Sequence, residues 1–386
     1  MRARDLGIPL TGTPGALNAI TDVPGVEVGT VTLVRDTDDP AVAARTGVTA
    51  ILPQGREGAA STVPAGFCSL NGNGEMTGMH WVAETGALGG PVMLTNTHAV
   101  GPVHRGVVEW TAKRHPQRAV EWLLPVVAET WDGYLNSINA PFVTADHAVE
   151  ALEAATGGPV PEGSAGGGTG MNCYGWKGGN GTASRLVPLG GRTYTVAAFL
   201  QANFGDRAEL SIAGVPMGDL DVAFPMGDDA WFRADRDAAV AAAPGAYPGR
   251  VPAGAGSVIA VVATDAPLLP GQCAALARRV PLGLARTGTA GGHFSGDLFL
   301  AFSTANPGAL DSGFPETGPE GVALQSISFV PWNWMDPFFT AVVQCVEEAV
   351  LNALVANADM TGRSGHVSHA LPHGLVRDRL AASGRL

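Results

Sequence analysis

The sequence predicts a layered α/β fold with buried sheets, on three observations. Short apolar runs without a polar face recur at 48–52 (VTAIL), 92–95 (VMLT), 195–201 (TVAAFLQ), 257–263 (SVIAVVA), 298–303 (LFLAFS) and 327–330 (ISFV). Strands that are apolar on both sides are covered on both sides. Helical patterns stand between these runs, and helices laid on buried sheets supply that cover. Composition agrees: 46% of the 386 residues are hydrophobic and 15% are charged, which predicts a large core and a surface partly covered by other subunits.

The helices follow in order. Residues 97–110 open on Thr97 and His98, and Val100, Val103 and Val107 fall at helical spacing. Residues 119–128 are apolar, with Pro125 placed to kink or break a helix. Residues 145–155 follow Thr144, a good cap. Residues 267–280 carry prolines in the first turn and Arg278 and Arg279 at the end, where cations suit the helix dipole. Residues 336–356 are the longest pattern, with Asp336 to cap and Pro337 at the first helical position. The stretch 238–256, AAVAAAPGAYPGRVPAGAG, is rich in Ala, Gly and Pro and predicts an exposed, processable segment that ends at Ser257.

Several function classes are excluded. The net charge is −12 and no Lys/Arg cluster forms a basic footprint, so no nucleic-acid partner is expected. No apolar run in the sequence approaches the roughly 18 residues of a membrane span. The first twenty residues lack a continuous apolar h-region, so no secretory signal is read and a cytoplasmic protein is expected. Cys68, Cys173, Cys273 and Cys345 lie far apart without a CxxC pair, as suits reduced core cysteines. Glycine clusters do not make a nucleotide site: 166–170 (GGGTG) is followed by Met171 where a dinucleotide fingerprint needs glycine, Gly72-x-Gly74 reaches Thr77 instead, and no phosphate-loop motif occurs. No cofactor is expected. His366, His369 and His373 could share a metal, yet no carboxylate or cysteine completes the set nearby; a solvated tail and no metal are expected. His98 is expected as an orienting or core histidine, and His293 stands nearer the chemistry.

The chemistry centres on 252–263, PAGAGSVIAVVA. The G-x-S-x-G elbow is absent, so an α/β-hydrolase is not indicated. Glycine stands only before the serine. Gly256 leaves its carbonyl open to attack by the Ser257 hydroxyl, and cleavage there would free the Ser257 α-amine. Such an amine titrates at about 7.7–8.0 and can serve as the base for its own hydroxyl. An ordinary turn before a strand is the alternative on residue types alone.

The motifs around this joint stand in order: NAITDVPGVEVG (18–29), RTGVTAILP (45–53), NGNGEMTG (71–78), LTNTHAVG (94–101), GGGTGMNCYGWKGGNGTASR (166–185), QANFG (201–205), ATDAPLLP (263–270) and SGDLFLAFSTAN (295–306). Together they closely resemble the DmpA-like aminopeptidases, a self-processing family that includes L-aminopeptidase/D-amidase/esterases and β-peptidyl aminopeptidases. The resemblance covers nearly the whole chain. It implies a four-layer α/β/β/α sandwich of the DmpA/ornithine acetyltransferase type, formed by residues 1–386 as one domain. It implies autoproteolysis between Gly256 and Ser257 into an α chain (1–256) and a β chain (257–386), assembled as a homotetramer of αβ units. Ser257 matches the nucleophile. Ser295 and Asp297 match the residues that orient it and its amine, some relatives having the longer Glu at the second position. Asn203 matches the side-chain donor of the oxyanion hole. The stretch AETWDGYLNSIN (128–139) matches the substrate-amine pocket, with Glu129 holding the ammonium and Tyr134 as a second contact.

The implied substrates are short peptides, amides or esters with a free amine. The alternatives are an amidase or acyltransferase on the same scaffold, a Ser-Lys hydrolase with Lys177 as base and no self-cleavage, and a binding protein with a degenerate site.

Overall fold

The computed structural model describes residues 1–242, 251–252, 254–315 and 317–386. In chain order the strands are β1 (Glu27–Asp36), β2 (Ala43–Leu52), β3 (Thr62–Gly72), β4 (Ala87–Gly89), β5 (Val92–Asn96), β6 (Val126–Thr130), the short pair β7 (Asn172–Cys173) and β8 (Trp176–Lys177), β9 (Gly179–Leu189), β10 (Arg192–Asn203), a second short pair β11 (Ser211–Ile212) and β12 (Val215–Pro216), β13 (Gly256–Thr264), β14 (Ser295–Ser303) and a third short pair β15 (Met360–Thr361) and β16 (Val367–Ser368). The helices are α1 (Met79–Thr85), α2 (Val100–Arg114), α3 (Ala145–Glu153), α4 (Ala230–Ala242), α5 (Pro270–Ala277), α6 (Val280–Ala285), α7 (Asp336–Val355) and α8 (His373–Ala382).

Two sheets occupy the middle, a four-stranded one in the order β1-β2-β5-β6 and a six-stranded one in the order β4-β3-β14-β13-β10-β9. Most neighbours are antiparallel. The parallel pairs β5–β6 and β13–β14 are each joined by a helical crossover, α2 in one case and α5–α6 in the other, as parallel neighbours require.

Three apolar cores separate four layers. One lies between α2, α3 and the smaller sheet and holds Val103, Val107, Leu152, Val48 and Val127. A second lies between the sheets, where Ile51, Leu94 and Ala128 meet Phe199, Val261 and Leu300. A third lies between the larger sheet and α5 and α7, and holds Val258, Val262, Leu276, Val342 and Val346. This is the expected α/β/β/α sandwich. The unbroken apolar run of β13 follows from it: Val258, Ala260 and Val262 enter the helix-side core, and Ile259, Val261 and Ala263 enter the core between the sheets.

Two local expectations are corrected. Residues 119–128 do not form a helix; a 3₁₀ turn (Pro116–Val120) precedes β6. Val126 and Ala128 face the other sheet while Val127 faces the helices, and so short an apolar run has the same pattern in either element. Residues 327–330 are not a strand. Their end is pinned at the start of α5, where the Val330 N–H donates to the Pro267 carbonyl at 2.9 Å and Gln272 Nε2 donates to the Val330 carbonyl at 2.6 Å.

Helix α7 begins one position earlier than its proline suggested: Met335 stands at the N-cap position without a side-chain cap, and Asp336 is already helical. Its 20 residues are apolar enough to cross a membrane by composition, but it packs as a core helix. Its buried Glu348 pairs with Arg185 at 2.6 Å. Of the processable segment expected at 238–256, residues 243–250 and 253 lie outside the described residues, and 238–242 end α4.

Candidate active site

Strand parity places Ser257. It shares a face with Ile259 and Val261, so it continues the core between the sheets to the point where that core opens. On β10 the same parity carries Phe199 and Gln201 on to Asn203, the Cα partner of Ser257. Gln201 spans the gap, with Nε2 donating to the Thr95 carbonyl at 2.9 Å and to Thr130 Oγ1 at 2.7 Å. The smaller sheet brings Glu129 from β6, and β6 packs against β13.

At this mouth lies a cleft of about 1020 Å³. Ser257, Asn203, Glu129, Thr97 and Gly256 line it, and Trp131, Phe224, Trp231, Phe232 and Phe294 give it aromatic walls. Ser257 is 2% exposed. A side chain at Gly256 would put its Cβ 2.1 Å from the Asn203 carbonyl oxygen, so only glycine lets the chain pass this close to β10. Gly254 adopts φ +69°, the left-handed turn into the strand.

Asn203 is held at both ends of its amide. Its Oδ1 accepts the Asn172 N–H at 2.8 Å, and its Nδ2 donates to the Trp131 carbonyl at 2.8 Å. Nδ2 carries two hydrogens, which leaves one for a group in the cleft.

Glu129 is 3% exposed. Burial pushes its carboxyl above the usual glutamate range, against hydrogen bonds from Thr97 Oγ1 and the Glu75 N–H. A nearly buried carboxylate facing a cleft suits a cationic ligand.

Ser295 and Asp297 stand on β14, where their Cα partners are Gly256 and Val258, one on each side of Ser257. Neither lines the cleft. Ser295 Oγ donates to Asp297 Oδ1 at 2.5 Å, and Asn71 Nδ2 donates to Oδ2 at 3.1 Å. Burial raises the Asp297 carboxyl, and the Ser295, Asn71 and Val258 hydrogen bonds oppose the rise.

Other expectations change. Tyr134 is buried, its hydroxyl donates to the Val367 carbonyl at 3.2 Å, and it does not line the cleft. Besides Glu129, the residue of that stretch lining the cleft is Trp131, with Trp231 packed edge-on against Tyr134 at 5.1 Å. Lys177 is fully buried, with Nζ donating to the Met171 and Gly178 carbonyls at 2.8 Å each, so it is not placed to act as a base on Ser257.

His98 is exposed rather than core, and Asn96 caps its N–H at 3.0 Å. His293 is exposed and packs edge-on against Phe294. His366, His369 and His373 are half-buried, not a solvated tail. Their rings contact the Tyr134 carbonyl, Asp359 and the Val355 carbonyl respectively. Among the described residues no group of three or more His, Cys, Asp or Glu could hold a metal ion.

Asn71, Thr97 and Trp131 are site residues that sequence reasoning passed over. Each stands in a quoted motif, but its partner in the site comes from a distant segment: Asn71 meets Asp297 on the neighbouring strand β14, Thr97 meets Glu129 on β6, and the Trp131 carbonyl meets Asn203 across the sheets.

The profile of peptidase family S58 matches residues 18–368. The chain belongs to peptidase family S58. This S58 peptidase is 45% identical to a β-peptidyl aminopeptidase BapA of Sphingosinicella microcystinivorans, over 100% of this chain and 93% of that protein. It is likewise 45% identical to the BapA of Sphingosinicella xenopeptidilytica, over 96% and 89%. Among solved structures, the L-aminopeptidase D-Ala-esterase/amidase of Ochrobactrum anthropi, described as a variant of the Ntn-hydrolase fold, superposes with a TM-score of 0.86 at 42% identity, covering 100% of this chain and 99% of that one. A β-aminopeptidase of Burkholderia sp. gives 0.86 at 41% identity over the same shares. The S58 peptidase therefore has an Ntn-hydrolase-type fold.

Proposed function

We propose that this S58 aminopeptidase cleaves itself between Gly256 and Ser257 and then uses Ser257 as an N-terminal nucleophile. Its substrates are short peptides, amides or esters, from which it releases the first residue, an α- or β-amino acid. The observation that carries this reading is the placement of Ser257 in one cleft with Asn203 and Glu129. The mature enzyme is taken to be a cytoplasmic homotetramer of αβ units.

In maturation the Ser257 hydroxyl attacks the Gly256 carbonyl carbon. The C–N bond breaks, the hydroxyl proton passes to the leaving nitrogen, and an ester forms. Water hydrolyses the ester to a Gly256 carboxylate and a free Ser257 amine and hydroxyl. In turnover that amine accepts the hydroxyl proton as Ser257 attacks the substrate carbonyl, then returns it to the leaving amine; water releases the acyl group. Asn203 donates its free amide hydrogen to the developing oxyanion. Ser295 and Asp297 hold the strand beside the new amino terminus. Glu129 accepts hydrogen bonds from the substrate ammonium, a charge-assisted contact of about 1.5–3 kcal/mol.

Two expected results test the amine site. An aminoacyl p-nitroanilide should be cleaved roughly 10- to 100-fold more efficiently than its N-acetyl form, since about 1.4 kcal/mol is tenfold. Equal rates would favour the amidase reading. Running the α- and β-aminoacyl substrates side by side identifies the class of residue released.

Inhibition by a simple alkylamine should weaken on acidification as Glu129 takes up a proton. Because burial raises its pKa, the weakening should begin above the ordinary glutamate value of about 4.3. Glu129→Gln should bind the amine poorly at every pH; an unchanged pH profile in that variant places the ammonium elsewhere.

A further inference from the structure

Asn203 is fixed by two backbone groups, the Asn172 N–H and the Trp131 carbonyl. Each is braced from behind by a buried ionisable side chain that the proposed reaction does not use. Lys177 Nζ ties the Met171 carbonyl, one residue before Asn172, to the Gly178 carbonyl. Lys177 is also the Cα partner of Asn172 in the β7–β8 pair. On the other side, Asp132 directly follows Trp131. Its Oδ1 accepts Asn136 Nδ2 at 2.9 Å, and its carbonyl accepts the Leu135 and Asn136 N–H groups, which closes the turn after Trp131.

Both side chains are 0% exposed. Asp132 Oδ2 has no hydrogen-bond partner among the described residues. Burial pulls the Lys177 ammonium down and pushes the Asp132 carboxyl up, and the Asp132 charge opposes the change at Lys177. Apolar residues of similar volume are often no worse for stability than a buried pair of charges. An ammonium can still do what methionine cannot, and donate to two converging carbonyls.

We infer that Lys177 and Asp132 are positioning residues, which hold the two backbone clamps of Asn203 so that its free amide hydrogen meets the oxyanion. The inference rests on the oxyanion role proposed for Asn203. A misplacement of about 1 Å in such a donor can cost on the order of 10² in rate. The binding of the substrate amine at Glu129 should not change.

The test is a double-mutant cycle, with kcat counted per matured chain and folding checked by thermal melting. Lys177→Met should lower kcat about 10- to 100-fold and leave KM within about twofold, short of the loss in Asn203→Ala. Asp132→Asn, nearly isosteric and able to keep the Asn136 contact, should lower kcat about tenfold. It carries the cycle if Lys177→Met does not fold.

In an Asn203→Ala background either substitution should cost less than about twofold more, because the group it positions is gone. Independent, multiplying losses would overturn the inference and leave the role of Asn203 intact, as would an unchanged kcat in folded Lys177→Met or Asp132→Asn. An Asn203→Ala variant with normal kcat would instead overturn the oxyanion reading itself.

Discussion

Ser257→Ala is expected to remain one chain of 386 residues and to hydrolyse nothing above background. The unaltered protein should separate under denaturing conditions into fragments 1–256 and 257–386 without added protease. The expectation follows from one hydroxyl serving twice. In maturation it attacks the carbonyl of Gly256, a position where the Asn203 backbone leaves no room for a side chain. In turnover it attacks the substrate, with the amine that maturation frees as its base. Alanine removes both reactions. It fills the same buried position with one fewer oxygen, and among the described residues that oxygen makes no hydrogen bond, so folding should survive. Intact mass decides the matter: fragments of the same two masses from Ser257→Ala would remove Ser257 from the maturation chemistry.

Asn203→Ala is expected to lower kcat by about 10²–10³ with a much smaller change in KM. A donor aimed at the developing oxyanion acts mainly on the transition state and is worth about 2.7–4 kcal/mol. The substitution also strands the buried Asn172 N–H, at a cost of about 1–3 kcal/mol of stability, and frees the Trp131 carbonyl at the cleft. The kinetics therefore belong well below the melting temperature of the variant. A raised KM with unchanged kcat would make Asn203 a substrate-binding residue.

The motifs around these residues were legible because their chemistry is local. A glycine beside a serine at the head of an apolar strand is written in consecutive letters, and β13 reads as doubly covered because every residue from Val258 to Ala263 is apolar. That buried sheets are covered on both faces followed from the same pattern, since a strand apolar on both faces needs cover on both, while the four-layer order came with the family resemblance.

Relations between distant segments were not legible. Tyr134 and Trp131 sit only three residues apart, and only packing against Val367, His366 and Trp231 decides that the tyrosine is buried and the tryptophan lines the cleft. Asn71 meets Asp297 because β3 lies beside β14, a pairing separated by more than two hundred residues. Residues 119–128 and 327–330 misled for another reason: a short apolar run fixes neither element type nor burial, and Val120, Trp122, Leu124 and Phe329 lie exposed outside any strand.

Residue type and order thus pointed to the candidate reactive groups and to the burial of their strands. Which of them share a cleft, which brace it from behind, and how far burial shifts Glu129, Asp297, Asp132 and Lys177 were settled by tertiary packing, because desolvation and hydrogen-bond partners come from segments remote in the chain.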